Sequence, residues 1–232
     1  MLASASPRRR DLLRLLGISF FVQPADVDEE PLPGEGPEAL TGRLARSKAL
    51  AVDDVTSVST WAGTVPNSSR SSIDAARDES TASVVLAADT VVVLGETILG
   101  KPADEAEAVS MLTSLRGRAH RVLTGIAVAV AGEIVWDGVV ETIVWMRSYS
   151  ADEVERYVRS GSPLDKAGAY GIQDNDFRPV ARIEGCLSNV VGLPLCEVRR
   201  ALLAVDPERD WGFVSADRSE TGHFALCERA VG

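Results

Sequence analysis

Val84 to Leu94 reads VVLAADTVVVL. Val84 to Ala88 is a continuous apolar run, and Val91 to Leu94 resumes it after Asp89-Thr90. A run of this kind, rich in β-branched residues, is the mark of a buried strand. Before it lie two helical patterns. Ser6-Pro7 opens the first, with Ser a good N-cap and Pro favoured at the first helical position. Leu12, Leu13, Leu15 and Leu16 give that helix its apolar face, and Gly17 stops it. Ile18 to Val22 reads as a strand, and Asp26 to Gly36 as an acidic loop rich in Pro and Gly. The second helix is expected over Glu38–Val52, on Leu40, Leu44, Ala45 and Leu50.

Beyond the apolar strand, Gly95 and Gly100 bracket a short hairpin. Ala103 to Leu115 is helical, on Ala106, Val109, Met111, Leu112 and Leu115. Two long runs with β character, Arg121–Val130 and Ile134–Met146, flank Ala131-Gly132-Glu133 and predict a hairpin. Ala151 to Arg159 is a helix capped by Ser150, with Glu153 at the capping-box position. Ser160 to Asn175 reads as a polar, Gly-rich loop. A last helix covers about Leu195–Ala204, and the tail from Asp206 has no period. Helices and strands alternate with both hairpins and crossovers, so the class is α/β with a mixed, twisted sheet and flanking helices.

Thr56 to Ser83 stands apart. Twelve of its 28 residues are Ser or Thr, without helical or strand period, so it reads as a flexible low-complexity insertion rather than a lid.

The chain has 232 residues, 45% apolar and 25% charged, which fits one globular domain. No run approaches the roughly 18–20 apolar residues of a membrane span. The N-terminus, MLASASPRRRD, has no apolar stretch of signal-peptide length, which predicts a cytoplasmic protein with no membrane partner. The net charge of −10 argues against broad binding to a nucleic-acid polymer. Cys186, Cys196 and Cys227 are odd in number and form no C-x-x-C, as in a reducing compartment. With only His120 and His223, neither a His/Cys zinc site nor Ser/His/Asp catalysis finds support.

Four constellations carry chemistry. Ser4 and Ser6 precede a helix whose first turn holds Arg8 and Arg9. Unpaired N–H groups, hydroxyls and guanidiniums there make a phosphate cradle. Helix stability alone would favour acids in that turn; solvated arginines on a capped helix are the plainer alternative. Asp89-Thr90 puts an acid inside a buried strand, which is costly unless the acid is paired, bound to metal or functional. In Gly100-Lys101-Pro102, Pro102 holds Lys101 extended beside a permissive glycine. In Asp165–Gln173 (DKAGAYGIQ), two glycines allow close backbone approach, Lys166 brings charge, and the Gln173 amide can pair with a base edge. No P-loop and no G-x-G-x-x-G occurs.

These stretches, with others, resemble the Maf family of nucleoside triphosphate pyrophosphatases. The matching segments are Leu2–Arg9 (LASASPRR), Arg46–Ala49 (RSKA), Ala88–Val92 (ADTVV), Gly100–Pro102 (GKP), Gly117–Gly125 (GRAHRVLTG), Asp165–Gln173 and Asn189–Leu195 (NVVGLPL). They follow the family's order and span most of residues 2–205. The resemblance implies a Maf/ITPase-like body with two lobes and a central cleft. It implies cleavage of the α–β phosphoanhydride of a nucleoside triphosphate to monophosphate and pyrophosphate, with a divalent cation, Mg²⁺ or Mn²⁺. Asp89 matches the catalytic proton acceptor. Lys48, Lys101 and Lys166 match the cleft lysines, and Ser6 and Arg9 join them as substrate-binding residues. Arg8, Thr90 and Gln173 stand at the positions that separate the branches, and resemble the branch acting on dTTP and UTP. The 7-methyl-GTP branch and a nucleotide-binding regulator without turnover are the competing readings. The start almost on the first motif implies a shortened first strand or a true start upstream. Metal ligands are left unassigned. Glu29 and Glu30 are candidates, but read more simply as solvated loop charges. A homodimer is compatible with this reading.

Deleting about Val58 to Ala82 is expected to leave activity and melting temperature nearly unchanged, because the cost of loop closure varies slowly with length. Pyrophosphate release and thermal unfolding of the deletion variant check this, and a large loss of activity would make the segment a lid.

Overall fold

The computed structural model describes residues 1–58 and 83–213. Most of the expected insertion, and the tail beyond residue 213, lie outside the described residues. The first helix, α1 (Pro7–Arg14), starts where the sequence places it. The Ser6 hydroxyl accepts from the Arg9 N–H, and Pro7 fills the first turn. Next come α2 (Pro37–Val58), β1 (Val84–Leu94), β2 (Thr97–Leu99) and α3 (Glu105–Leu115). The long hairpin is β3 (Ala119–Val130) and β4 (Glu133–Met146). Ala131 and Gly132 turn it with φ of 51° and 82°. Two successive left-handed residues are what a tight hairpin between twisted strands requires. Then follow α4 (Ala151–Arg159), two 3₁₀ segments (Ser162–Asp165 and Ala167–Ala169), β5 (Val180–Glu184), α5 (Leu187–Val191) and α6 (Leu195–Val205). The Ser150–Glu153 capping box on α4 is formed.

The strands make one sheet in the order β2-β1-β3-β4-β5, with every neighbouring pair antiparallel. Its parallel component comes from Leu2, which bridges to Leu86 and to Val22. The expected strand over Ile18–Val22 is reduced to that bridge, and Phe21 within it points to solvent. β5 and α5 were not expected. Val180–Glu184 is five residues with only two half-buried apolar positions, Val180 and Ile183, too short for a period to show. Helix α2 runs further at both ends than Glu38–Val52. Before residue 214 the tail is ordered, with Trp211 and Phe213 packed on the core beside α6.

Strand β1 sits between β2 and β3 and alternates between two covered faces. Val85, Ala87, Val91 and Val93 meet α2, through Ala45, Ala49 and Val52 at one end and Leu40 and Leu44 at the other. Leu86, Ala88 and Val92 face the opposite side. There the helices form two groups. One, α1 with α6, packs on Leu86, Ala88, Ile126 and Val128. The other, α3 with α4, packs on Val92, Val122 and Val144. The two groups are the two lobes, and one sheet runs beneath both.

Helix α2 lies unusually close to the sheet. A Cβ at Gly125 of β3 would stand 2.2 Å from the Thr41 carbonyl oxygen and 2.9 Å from the Gly42 nitrogen. Both atoms are backbone, so no side-chain rotation relieves the clash. Gly125→Ala is therefore expected to push α2 away, costing about 3 kcal/mol. The corresponding drop in Tm is roughly 6–12 °C for a chain of this size. Thermal unfolding of the variant measures it, and an unchanged Tm would show that the helix yields without cost.

Candidate active site

The site begins with a missing neighbour. Leu86 is paired on its outer edge: its N–H donates to the Met1 carbonyl and its carbonyl accepts from the Ala3 N–H, both at 2.8 Å. Further along the same edge, β2 pairs with Val92, Val93 and Leu94. Among the described residues no strand pairs with the outer edge of β1 between these points. The chain leaves the sheet after Ala3 and turns through Ser4 and Ser6 into α1. A cleft of 1010 Å³ opens in the gap, and Asp89-Thr90 lies at its floor. Because strand side chains alternate, the two residues point to opposite faces. Asp89 belongs with Val91 and α2, Thr90 with Val92 and the two lobes.

On the first face, Lys48 of α2 reaches Asp89, with Nζ 2.6 Å from Oδ1. Both side chains are only about a tenth exposed, at 9% and 10%. The close packing of α2 at Gly125, directly opposite Asp89 in the ladder, brings Lys48 within reach. Nζ of Lys48 also lies 2.5 Å from Oε1 of Glu29 in the acidic loop. Burial pushes the Glu29 carboxyl up, but the Lys48 hydrogen bond and the charges of Lys48, Lys101 and Arg9 outweigh it and hold the group below the usual carboxylate range. Glu29 is thus a loop carboxylate that stays 61% exposed but is tied to Lys48. Glu30 is exposed, and it is its backbone carbonyl that accepts from Arg43.

On the second face, Arg9 is held at three points. Nε donates to the Gly192 carbonyl at 2.9 Å, Nη1 to Ser4 Oγ at 3.2 Å and Nη2 to Thr90 Oγ1 at 3.0 Å. The guanidinium is not a solvated arginine on a capped helix. Burial draws its pKa down, and the charges of Asp89 and Glu29 oppose that shift. Thr90 Oγ1 also meets Thr124 Oγ1 at 2.9 Å, and Thr124 donates to the Asn189 carbonyl at 3.3 Å. The buried Asn189 amide then donates to the Val122 carbonyl and to Thr142 Oγ1, at 3.1 and 2.9 Å. This polar line fixes α5 on the sheet and with it the Gly192 carbonyl. Gly192 has φ 122°, so the tight turn that aims this carbonyl suits glycine.

The rim carries the remaining residues. Arg8 spans from α1 to the 3₁₀ segment at Asp165, with Nη1 3.1 Å from Oδ2. Nζ of Lys166 lies 2.5 Å from the other Asp165 oxygen and also donates to the Ser162 carbonyl. Lys101 and Gln173 are exposed at the mouth. Ser6, Arg8, Arg9, Lys48, Asp89, Thr90, Lys101, Lys166 and Gln173, scattered over 168 positions of sequence, all line this one cleft.

Sequence reading did not find Glu29 as a partner of Lys48, Asp165 as the acid between two rim cations, or Thr124 and Asn189 as the support of Thr90. The last three lie inside the quoted motifs, which is the signal that was available. Glu29 had none, being one acid among several in a loop. No cluster of three or more His, Cys, Asp or Glu ligands occurs among the described residues. The two carboxylates that converge on Lys48 are nonetheless hard oxygen donors suited to Mg²⁺ or Mn²⁺. Such ions are bound by one or two carboxylates plus substrate phosphates. Asp89 and Glu29 are the residues that fit.

The family model described as "Maf-like protein" matches residues 1–205. A dTTP/UTP pyrophosphatase of Myxococcus xanthus is 49% identical over 197 residues, covering 85% of this chain and 87% of that protein. Proteins of the same name from Anaeromyxobacter dehalogenans and Geobacter sulfurreducens are each 44% identical. The first covers 87% of this chain and 91% of its own length, the second 85% and 92%. With the family model spanning both lobes and every element that lines the cleft, the chain belongs to the Maf-like family.

Proposed function

We propose that this protein hydrolyses dTTP and UTP at the α–β phosphoanhydride, releasing the nucleoside monophosphate and pyrophosphate. The observation that carries the reading is the convergence of a buried, lysine-held carboxylate and four further cationic side chains on one open strand edge. The relatives' shared name, dTTP/UTP pyrophosphatase, supports the same reaction and the same substrates. We place the activity in the cytoplasm, where such nucleotides are made and consumed; an odd, widely spaced set of cysteines suits that compartment.

A triphosphate carries about four negative charges, so binding it needs fixed cations and donors. Arg9 is pre-oriented by its three hydrogen bonds, and the α1 N-terminus at Ser6 lies beside it. Lys101 and Lys166 supply the rim. Lys48 orients Asp89 through Oδ1, and Asp89 takes the proton of the attacking water as the new P–O bond forms and the pyrophosphate oxygen leaves. A divalent cation held by Asp89 and Glu29 would neutralise charge on the phosphate oxygens. Base choice falls to Gln173, Thr90 and Arg8. A Gln amide donates to a 4-keto oxygen and accepts from a protonated N3 at once, as in uracil and thymine. Cytosine reverses both, and each group that a bound base would cover and leave unpaired costs roughly 1–3 kcal/mol.

Asp89→Asn is expected to lower kcat by about 10³-fold while the protein stays folded. Pyrophosphate release and a thermal melt read the two parts, and turnover within a few-fold of wild type would remove Asp89 from the mechanism.

UTP and dTTP should be cleaved comparably, since one methyl contributes only about 1 kcal/mol. CTP should be slower by about tenfold to a hundredfold in kcat/KM, and Gln173→Ala should shrink that ratio. The measurement is kcat/KM for dTTP, UTP, CTP and 7-methyl-GTP. A wild type that prefers CTP or 7-methyl-GTP contradicts the assignment, and one that binds nucleotides without releasing pyrophosphate makes it a regulator.

A further inference from the structure

His120 lies on β3, faces the α3/α4 lobe and is 3% exposed. None of the roles above uses it. Its Nε2 is 2.8 Å from the hydroxyl of Tyr170, itself buried, and the rings meet edge to face at 82°. Nδ1 is buried without a partner among the described residues, so this bond is what the imidazole contributes. Burial drives the His120 pKa down to about 4, which keeps the ring neutral; burial also pushes the Tyr170 phenol up. The two groups share one hydrogen bond whichever imidazole tautomer is present.

Tyr170 stands at a strained point. Gly168 and Ala169 just before it both have left-handed backbone, with φ of 68° and 59°. An alanine takes that conformation only at a cost and needs its surroundings to hold it there. Ala169 is fully buried. Around it the turn is tied down at each end. The Gly168 N–H donates to the Gly100 carbonyl at 3.0 Å, and the Gly171 N–H to the Tyr157 hydroxyl at 3.1 Å. Gly100 immediately precedes Lys101. Lys166 lies three residues before Ala169, and Gln173 two after Gly171. Three residues on the cleft rim thus take their positions from one strained turn, whose central side-chain anchor is the bond to β3.

We propose that His120 is a positioning residue: through Tyr170 it locks the Gly168–Gly171 turn and so places Lys101, Lys166 and Gln173 for nucleotide binding. This rests on the reading of the cleft as a nucleotide site. His120 touches no reacting atom, so its loss falls on substrate binding and base discrimination rather than on the Asp89 step.

Tyr170→Phe keeps the ring and removes only the hydroxyl, and His120→Phe removes the partner. Each is expected to raise KM for UTP about tenfold, the worth of one hydrogen bond of this kind, with kcat within about threefold and a smaller UTP-to-CTP ratio. The double variant should be no worse than either single one, because both remove the same bond. His120→Gln, whose amide nitrogen can stand where Nε2 stands, should recover most of the loss. Hydrogen exchange at the amides of residues 168–171 should quicken in Tyr170→Phe, a readout independent of turnover. Unchanged KM and unchanged exchange in an active, folded Tyr170→Phe overturn the proposal, and so do additive effects in the double variant. A wild-type protein that releases no pyrophosphate refutes the catalytic reading instead; the exchange result then still decides whether the bond locks the turn.

Discussion

An ionised carboxylate on a strand covered on both faces is the constraint from which the rest follows. Asp89 is tolerable there because Lys48 meets it at 2.6 Å. Breaking a buried pair of this kind costs about 3–5 kcal/mol, since the surviving charge stays desolvated. The pair in turn dictates how α2 packs. A helix at ordinary distance from the sheet would leave the ammonium short, and the naked backbone of Gly125 lets α2 come closer. Ala45 and Ala49, on the side of α2 that meets Ala87 and Ala127, continue the same close contact. A stretch of small residues that looks undemanding in sequence is therefore part of the site.

The cleft holds its charges in two ways. At its floor, Lys48 and Arg9 are fixed by several partners each, and their geometry is set before any ligand arrives. At its rim, Arg8 and Lys166 share the largely exposed Asp165. Exposed pairs contribute only about 0–1 kcal/mol, so displacing Asp165 from Arg8 and Lys166 would cost little. A chain of net charge −10 can thus present a local cationic surface, with its acids either answering a lysine or lying on a partner that yields. Preorganised donors at the floor and exchangeable ones at the rim suit the proposed binding of a triphosphate and release of two anionic products.

Much of the architecture was legible because its signals are local. The Ser6 and Ser150 caps, the Ala131-Gly132 turn and the apolar periods of α2, α3 and α6 act over a few residues, and the structure has them. The elements that were not foreseen lack a period of their own. β5 exists because β4 offers an edge, and Val22 is tied into the sheet because Leu2 lies beside it. In the site, single acids in polar loops give no clue to partners outside their own segment, so Glu29 is not legible as the partner of Lys48, nor Asp165 as that of Arg8. His120 has no catalytic setting in the sequence, yet in the structure it is a buried anchor.

The sequence by itself determined that an acid and a hydroxyl interrupt a buried strand, that basic residues crowd a helix start, and that these belong with three motif lysines and a glutamine. Residue type and spacing carry that much, because desolvating an unpaired carboxylate is too costly for an accidental Asp89. Only the tertiary structure decided that the interruption sits at a gap in the sheet edge, and that strand alternation sends Asp89 to Lys48 and Glu29 and Thr90 to Arg9. Pairing across 41 residues for Lys48 and 81 for Arg9 depends on how the helices sit on the sheet: the backbone contact at Gly125 sets the approach of α2, and the Gly192 carbonyl holds Arg9 in place.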